Sequence, residues 1–440
     1  MCPVAQQPSK LPAVHEAWLP REHALHRPRH GGKQVTAVAC ALVFFAAPAL
    51  SWVFGARPSA IENHELAGFP SLADGWSFFT DLPAWATDQL VFRSGAIAAA
   101  DGVSQGVFGE PAPLDQGAAP DAGPLPGAPA PPPGAGGADD PGPSDGGAGY
   151  RRVVRGSDGW LYYGYDADAK CSPTRPIDET VTRLGKLRDA VENSGRKFVF
   201  VVAPDKSTVS PEHLPANYPG KDCATAASDG VWRKLTDEAG AIDLRGPLRA
   251  MQEETGRSVY PPNDTHWRDE GSLVMTRSLA EAVRPGATRT WRSDPLSEYT
   301  INADLPPLLG KRGETKTNVL YDLRPDGRTD RTAETIGNID TPAYRVSNPV
   351  AGTVAEQVLV FGDSFTGASS RYLPGAFANL TMLSYQPATP DVEAAVKAFA
   401  DSKVVVVETV ERAVASGGLP FLEDAFIASA RQAMDARPIR

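Results

Sequence analysis

The sequence predicts an α/β protein whose largely parallel central sheet is covered by helices on both faces. Three runs carry this reading: Lys197-Phe198-Val199-Phe200-Val201-Val202-Ala203, Val358-Leu359-Val360-Phe361 and Val404-Val405-Val406-Val407. Each is continuously apolar rather than alternating, which is the pattern of a strand buried on both faces. Helical stretches separate them, with Val181, Leu184, Leu187 and Val191 on one face of a helix starting at Ile177, then Glu270 to Val283 and Val392 to Ala400. Strands alternating with helices give a layered α/β domain.

The elements follow in chain order. Residues 1–33 form a basic tail, with Lys10, Arg21, Arg27, Arg29 and Lys33 against Glu16 and Glu22. Residues 34–54 then carry no charge and are rich in Ala, Val, Leu and Phe. About twenty such residues match a bilayer core of roughly 30 Å, so one transmembrane helix is expected. The basic flank predicts a cytoplasmic N-terminus. An uncleaved anchor is favoured over a signal peptide because both the flank and the apolar run are long for one. Everything beyond residue 54 is then expected outside the cytoplasm, in a periplasmic or cell-surface location.

Residues 55–109 show apolar positions at helical spacing, including Phe78, Phe79, Leu82, Trp85 and Leu90, and read as helices packing on the domain that follows. Asp88 and Arg93 are placed to form an ion pair. Residues 110–149 are almost entirely Pro, Gly, Ala and Asp. They hold too little apolar surface to offset ordering entropy and are expected to be a disordered insert. The compact domain spans 150–440. It opens with the turn Gly156-Ser157-Asp158-Gly159 and the strand Trp160-Leu161-Tyr162-Tyr163. Residues 285–350 are polar and rich in turn formers, and read as an elaborated loop region.

The net charge of −10 argues against a nucleic-acid partner, which calls for a basic footprint. No cysteine and histidine spacing suggests zinc, and neither a metal nor a cofactor is expected. Of the four cysteines, Cys171 and Cys223 fall beyond the anchor, where an oxidising compartment favours a disulfide; two unpaired thiols are the alternative.

The chemistry lies in two short stretches. Gly362-Asp363-Ser364-Phe365 follows a buried strand, and reactive groups in open α/β sheets gather beyond the carboxyl ends of strands. Ser364 is there a candidate nucleophile; the plainer reading is that Asp363 or Ser364 caps a helix. Asp264-Thr265-His266-Trp267 supplies an imidazole able to act as base near neutral pH, with a carboxylate two residues earlier to orient it. In extended chain, positions i and i+2 share a side. Of the histidines beyond the anchor, His64, His213 and His266, only His266 has an acid at this spacing. Trp267 reads as a packing aromatic before a substrate platform. Lys206 lies past the strand ending at Ala203 and is placed either to meet a substrate anion or to be solvated. Glu408 and Arg412 are spaced to pair on a helix, in a structural or site-orienting role.

Taken with Glu62-Asn63-His64-Glu65-Leu66, Phe69-Pro70, Asp88 with Arg93, Gly156 to Tyr163, Ala203-Pro204-Asp205-Lys206-Ser207-Thr208 and Val406 to Arg412, these stretches occur in an order that resembles the alginate O-acetyltransferases of the AlgJ/AlgX type. The resemblance covers roughly residues 61–415. The Asp-His motif precedes the serine, reversing the usual SGNH hydrolase order, as in that family. The insert at 110–149 stands where the family has a short connection, and no separate carbohydrate-binding module is expected after the catalytic domain.

The resemblance implies an SGNH hydrolase-like fold with Ser364 as nucleophile, His266 as base and Asp264 as its orienting acid. It implies acetyl transfer to a hydroxyl of a surface or secreted polysaccharide, alginate-like or another envelope glycan. It also implies a membrane-bound O-acyltransferase partner that supplies acetyl groups. The alternatives are a carbohydrate acetylesterase with the same triad and a non-catalytic anchored glycan-binding or scaffold protein.

Overall fold

A computed structural model of the chain describes residues 153–439 apart from 310, 312, 337 and 387–390. Before these it describes 18–20, 22, 23, 32–54 and scattered positions between 69 and 103. The expected disordered insert at 110–149 lies outside the described residues. So do Asp88, Arg93, His64 and most of the 55–109 segment.

Gly32–Val53 is a helix of 22 residues, ~33 Å long at 1.5 Å per residue. It coincides with the expected anchor at 34–54. Among the described residues no helix is long and apolar enough to cross a membrane. Several side chains of Gly32–Val53 fall outside the described set, and the anchor reading rests on the amino-acid sequence of that segment.

The three apolar runs form neighbouring strands of one sheet: β3 (Lys197–Ala203), β8 (Val354–Gly362) and β10 (Val404–Val410). β10 lies between the other two and is parallel to both, with Val404–Val407 opposite Lys197–Phe200 on one side and Val358–Phe361 on the other. β4 (Ile242–Asp243) extends the sheet beyond β3, and β9 (Phe377–Ser384) is parallel to β8. β7 (Ala343–Val346) closes the far edge antiparallel to β9, giving the order β4-β3-β10-β8-β9-β7. Every residue of β10 is buried, as continuous apolar strands under two helical layers require.

Helices Ile177–Asn193, Val392–Asp401 and Asp424–Asp435 pack together as one group. Asp269–Val283 packs with Arg245–Thr255 and with the short helices Ser364–Ser369 and Leu373–Ala376. The Phe361 ring joins the first group to the sheet, meeting Tyr385, Phe399, Phe421 and Phe426 at centroid distances of 5.3–6.1 Å. Burying an aromatic or large aliphatic side chain contributes roughly 1.5–3 kcal/mol, so this cluster pins β8 immediately before its functional end.

The region 285–350 is not merely irregular. It holds a hairpin of β5 (Pro295–Asn302) and β6 (Thr315–Tyr321), together with β7. Seven of the eight β5 residues are exposed, so its sequence carries no apolar alternation. A smaller ribbon pairs β1 (Val153–Arg155) with β2 (Leu161–Tyr163). Cys171 and Cys223 form a disulfide with a Cα–Cα distance of 5.8 Å, tying Tyr165–Cys171 to Lys221–Arg233 across 52 residues.

Candidate active site

Because β3, β8 and β10 are parallel and adjacent, the segments after Ala203, Gly362 and Val410 emerge at one edge of the sheet. Ser364 starts a short helix just beyond β8, with Asp363 as its N-cap. The Asp363 carboxylate accepts three hydrogen bonds, from the Phe365 N–H at 2.9 Å, the Tyr385 hydroxyl at 3.0 Å and the Val410 N–H at 2.8 Å. It thereby joins the serine turn to the ends of β9 and β10, and it is buried away from any substrate. Gly362 is required by space. A Cβ there would lie 2.0 Å from Thr366 Oγ1 and 2.6 Å from Glu408 Oε2.

The loop before helix Asp269–Val283 brings the imidazole to this serine. His266 Nε2 stands 2.8 Å from Ser364 Oγ. On the other ring nitrogen, His266 Nδ1 is 3.2 Å from Asp264 Oδ1. Serine, histidine and aspartate thus come together across 98 residues of sequence between Ser364 and His266. The His266 ring also tilts against Phe365 at 5.0 Å.

A second carboxylate, which the sequence reading does not contain, reaches the same nitrogen. Asp304 Oδ2 is 2.9 Å from His266 Nδ1. Asp304 follows the exposed strand β5, 40 residues from Asp264. Its oxygens accept the Thr265 N–H at 2.8 Å and the Thr265 hydroxyl at 2.5 Å, while its own N–H donates to Asp264 Oδ2 at 3.0 Å. Asp264 Oδ1 also accepts the His266 N–H at 2.9 Å and lies 2.8 Å from the Lys316 ammonium.

The electrostatics follow from these contacts. Burial alone would raise the Asp264 carboxyl, but Lys316 and His266 outweigh it and hold it well below the usual carboxylate range. Burial alone would lower the imidazole, but the hydrogen bonds to Asp264 and Asp304 outweigh it and bring His266 up to about 9. Ligand atoms of Asp264, His266 and Asp304 lie within 4.8 Å of one another, a spacing a metal ion can use. Lys316 already places a cation on Asp264, so the group reads as an ion-pair set.

Lys206 has neither of the roles expected for it. It is 2% exposed, so it is neither solvated nor open to a substrate anion. Its ammonium donates to the carbonyls of Leu161 at 2.7 Å, Pro262 at 2.6 Å and Asp264 at 3.3 Å, and lies over the Trp160 ring at 4.8 Å. Burial lowers it to about 7. The lysine clamps the Asp264 loop onto β2.

Glu408 and Arg412 do not pair with each other. Glu408 lies within β10 rather than on a helix. Its Oε2 accepts the Asp363 N–H at 3.1 Å and the Thr366 hydroxyl at 2.8 Å. Arg412 turns to Asp205 at 3.0 Å and Asp166 at 3.6 Å. There it joins a buried charge cluster in which Lys170 contacts Asp205 and Glu411. Trp267 is buried and packs edge-on against Phe365 at 4.7 Å, with no substrate-facing surface.

His213 has its own serine and acid, Ser157 Oγ at 3.0 Å and Asp158 Oδ2 at 3.2 Å. Both address the same Nδ1, so this set lacks the relay in which acid and nucleophile take opposite ring nitrogens.

Comparison with known proteins places the chain in a family. The family model for the SGNH hydrolase-like domain of the acetyltransferase AlgX matches residues 153–381, just over half of the chain. A protein of Pseudomonas syringae pv. tomato named "Probable alginate O-acetylase AlgJ" is 27% identical over 214 residues, covering 48% of this chain and 51% of the relative. Its Pseudomonas fluorescens namesake is 28% identical over 131 residues, 30% of this chain and 33% of the relative. The chain therefore spans about half the length, or less, of these curated relatives. Among solved structures, the O-acetyltransferase domain of Pseudomonas putida AlgJ aligns with TM-score 0.44 and 20% identity, covering 64% of this chain and 98% of that one. Pseudomonas aeruginosa AlgX aligns with TM-score 0.43 and 17% identity, covering 64% and 66%.

Proposed function

Because the chain belongs to the AlgX family of SGNH hydrolase-like acetyltransferase domains, we propose that it is an extracytoplasmic O-acetyltransferase acting on a surface or secreted polysaccharide. The observation that carries this reading is the Ser364 hydroxyl 2.8 Å from His266 Nε2, with carboxylates on the opposite nitrogen.

His266 takes the Ser364 proton as Oγ attacks an acetyl carbonyl, and the carbonyl electron pair moves onto oxygen. The Ser364 backbone N–H helps hold that oxyanion. Collapse expels the donor oxygen, which takes the proton from Nε2, leaving acetyl-Ser364. A sugar hydroxyl, deprotonated by the same imidazole, then receives the acetyl group and restores the serine.

The topology is part of the proposal. Residues 34–54 anchor the chain in the bilayer, with the basic tail on the cytoplasmic side. The Cys171–Cys223 disulfide suits an oxidising compartment. A membrane-bound O-acyltransferase is the proposed acetyl supplier, and an alginate-like exopolysaccharide or another envelope glycan is the acceptor. The test offers an acetyl ester and an oligosaccharide together and identifies the products. Acetylated glycan supports transfer. Free acetate alone assigns the same site to an esterase. Neither product, or unchanged turnover in Ser364→Ala, overturns the reading.

A further inference from the structure

The carboxylates around His266 are unequal in what they already hold. Asp264 Oδ1 accepts the His266 backbone N–H at 2.9 Å and the Lys316 ammonium at 2.8 Å, and Oδ2 accepts the Asp304 N–H at 3.0 Å. It also makes the hydrogen bond to the imidazole Nδ1, at 3.2 Å. Asp304 sits closer, at 2.9 Å. Its other donors, the Thr265 N–H and hydroxyl, are neutral. A carboxylate already carrying an ammonium has less negative potential to offer a developing imidazolium than one that carries neutral donors.

We propose that Asp304 is a second positioning carboxylate of His266, whose charge beside Nδ1 stabilises the imidazolium together with the hydrogen bond that Asp264 makes there. This rests on the acyl-transfer reading above. No proton moves to Asp304. The Ser364 proton passes to Nε2 and from there to the leaving oxygen, while Nδ1–H remains on the ring throughout.

The hydrogen bonds specify what an amide would do at each position. At 304 the Thr265 N–H requires an acceptor at the Oδ1 position. An asparagine would therefore place its NH2 at the Oδ2 position, against Nδ1. That favours the tautomer with the proton on Nε2, which cannot take the serine proton. At 264 both oxygens already accept N–H donors. Asparagine there opposes a donor in either orientation and disturbs the turn itself.

The ionisable groups facing the ring are Asp264, Asp304 and Ser364. Lys316 acts through Asp264, Lys206 binds the Asp264 carbonyl, and Arg412 lies over the Phe365 ring at 5.8 Å. Of the two carboxylates, Asp304 is the one whose charge can be removed while the contacts of the other are kept.

The test is the rate of covalent reaction of the full-length protein with phenylmethylsulfonyl fluoride, followed by intact mass against pH. It is run on wild type, Asp304→Asn, Thr265→Val and Ser364→Ala, with thermal unfolding recorded for each. Asp304→Asn is expected to react about 10²–10⁴-fold more slowly, by analogy with other serine triads given the wrong tautomer, and the rising limb of its profile should move to lower pH. Thr265→Val removes a hydroxyl that competes for Asp304 Oδ2 and should move that limb to higher pH. It also keeps the proposal testable if Asp304→Asn does not fold. A wild-type rate in folded Asp304→Asn, or an unmoved limb in Thr265→Val, overturns the role of Asp304. Unchanged modification of Ser364→Ala instead overturns the acyl-transfer reading.

Discussion

The carboxyl of Glu408, on the central strand β10, accepts the backbone N–H of Asp363 at 3.1 Å, at the turn that presents Ser364. It also holds the Thr366 hydroxyl at 2.8 Å, and its Oε1 has no hydrogen-bond partner among the described residues. Burial, followed by the charge of Asp363, pushes Glu408 well above the usual carboxylate range. The side chain is a neck between strand and nucleophile. Glu408→Gln keeps the acceptor and the shape and should retain both fold and Ser364 reactivity. Glu408→Ala leaves the Asp363 N–H unpaired, at about 1–3 kcal/mol. Its unfolding midpoint should fall, and its reaction with phenylmethylsulfonyl fluoride should slow. Equal behaviour of the two variants would contradict the assignment.

Activity should rise toward alkaline pH. A general base works only as neutral imidazole, and the two carboxylates hold His266 up to about 9. At pH 7 most molecules carry imidazolium, so kcat/KM for an acetyl ester should climb through pH 8, pass half its maximum near pH 9 and level off about one unit beyond. A profile already flat at pH 7 would show that the pairing at Nδ1 does not hold in solution.

Gly362→Ala tests the close packing behind the serine. The added methyl would meet the Thr366 hydroxyl at 2.0 Å and the Glu408 carboxyl at 2.6 Å. Overpacking of this kind costs roughly 1–3 kcal/mol. Ser364 should lose reactivity by more than the change in unfolding midpoint accounts for, because the clash falls on the turn that aims it.

Lys206 and His266 pull stability in opposite directions as pH rises. Lys206, lowered to about 7, is disfavoured in its charged form when folded; that penalty is complete below pH 7 and is relieved toward the usual lysine value. His266, raised to about 9, contributes stability below its ordinary value near 6.5, which is lost as pH rises through about 9. Lys206→Met removes the first effect and leaves the second. Its unfolding midpoint should be lower than wild type, since the Asp264 carbonyl loses its donor. It should also fall more steeply between pH 7 and 9. Parallel curves for the two proteins would refute the buried clamp.

Much of this arrangement is legible in the chain because burial on both faces leaves a plain mark. The runs at 197–203, 358–361 and 404–407 are apolar because they are the inner strands, and Ser364 follows one of them. Asp264 and His266 are legible because two residues suffice to bring them together. Asp304 is not, since it reaches the ring through the turn after an exposed strand, and Ala303-Asp304-Leu305-Pro306 resembles any loop. Lys206 and Glu408 mislead for a related reason. A charged residue buried on backbone groups has no sequence partner, so Arg412 looked like the partner of Glu408 while its true partners, Asp205 and Asp166, lie more than 200 residues away.

The most direct measurement is peptide mass spectrometry of the full-length protein quenched during turnover of an activated acetyl ester. The account predicts one acetyl group on Ser364, chased off by added oligosaccharide. In His266→Ala the adduct should form far more slowly, and in Ser364→Ala it should not form. Acetylation at another residue, or turnover with Ser364 never modified, would contradict the central claim.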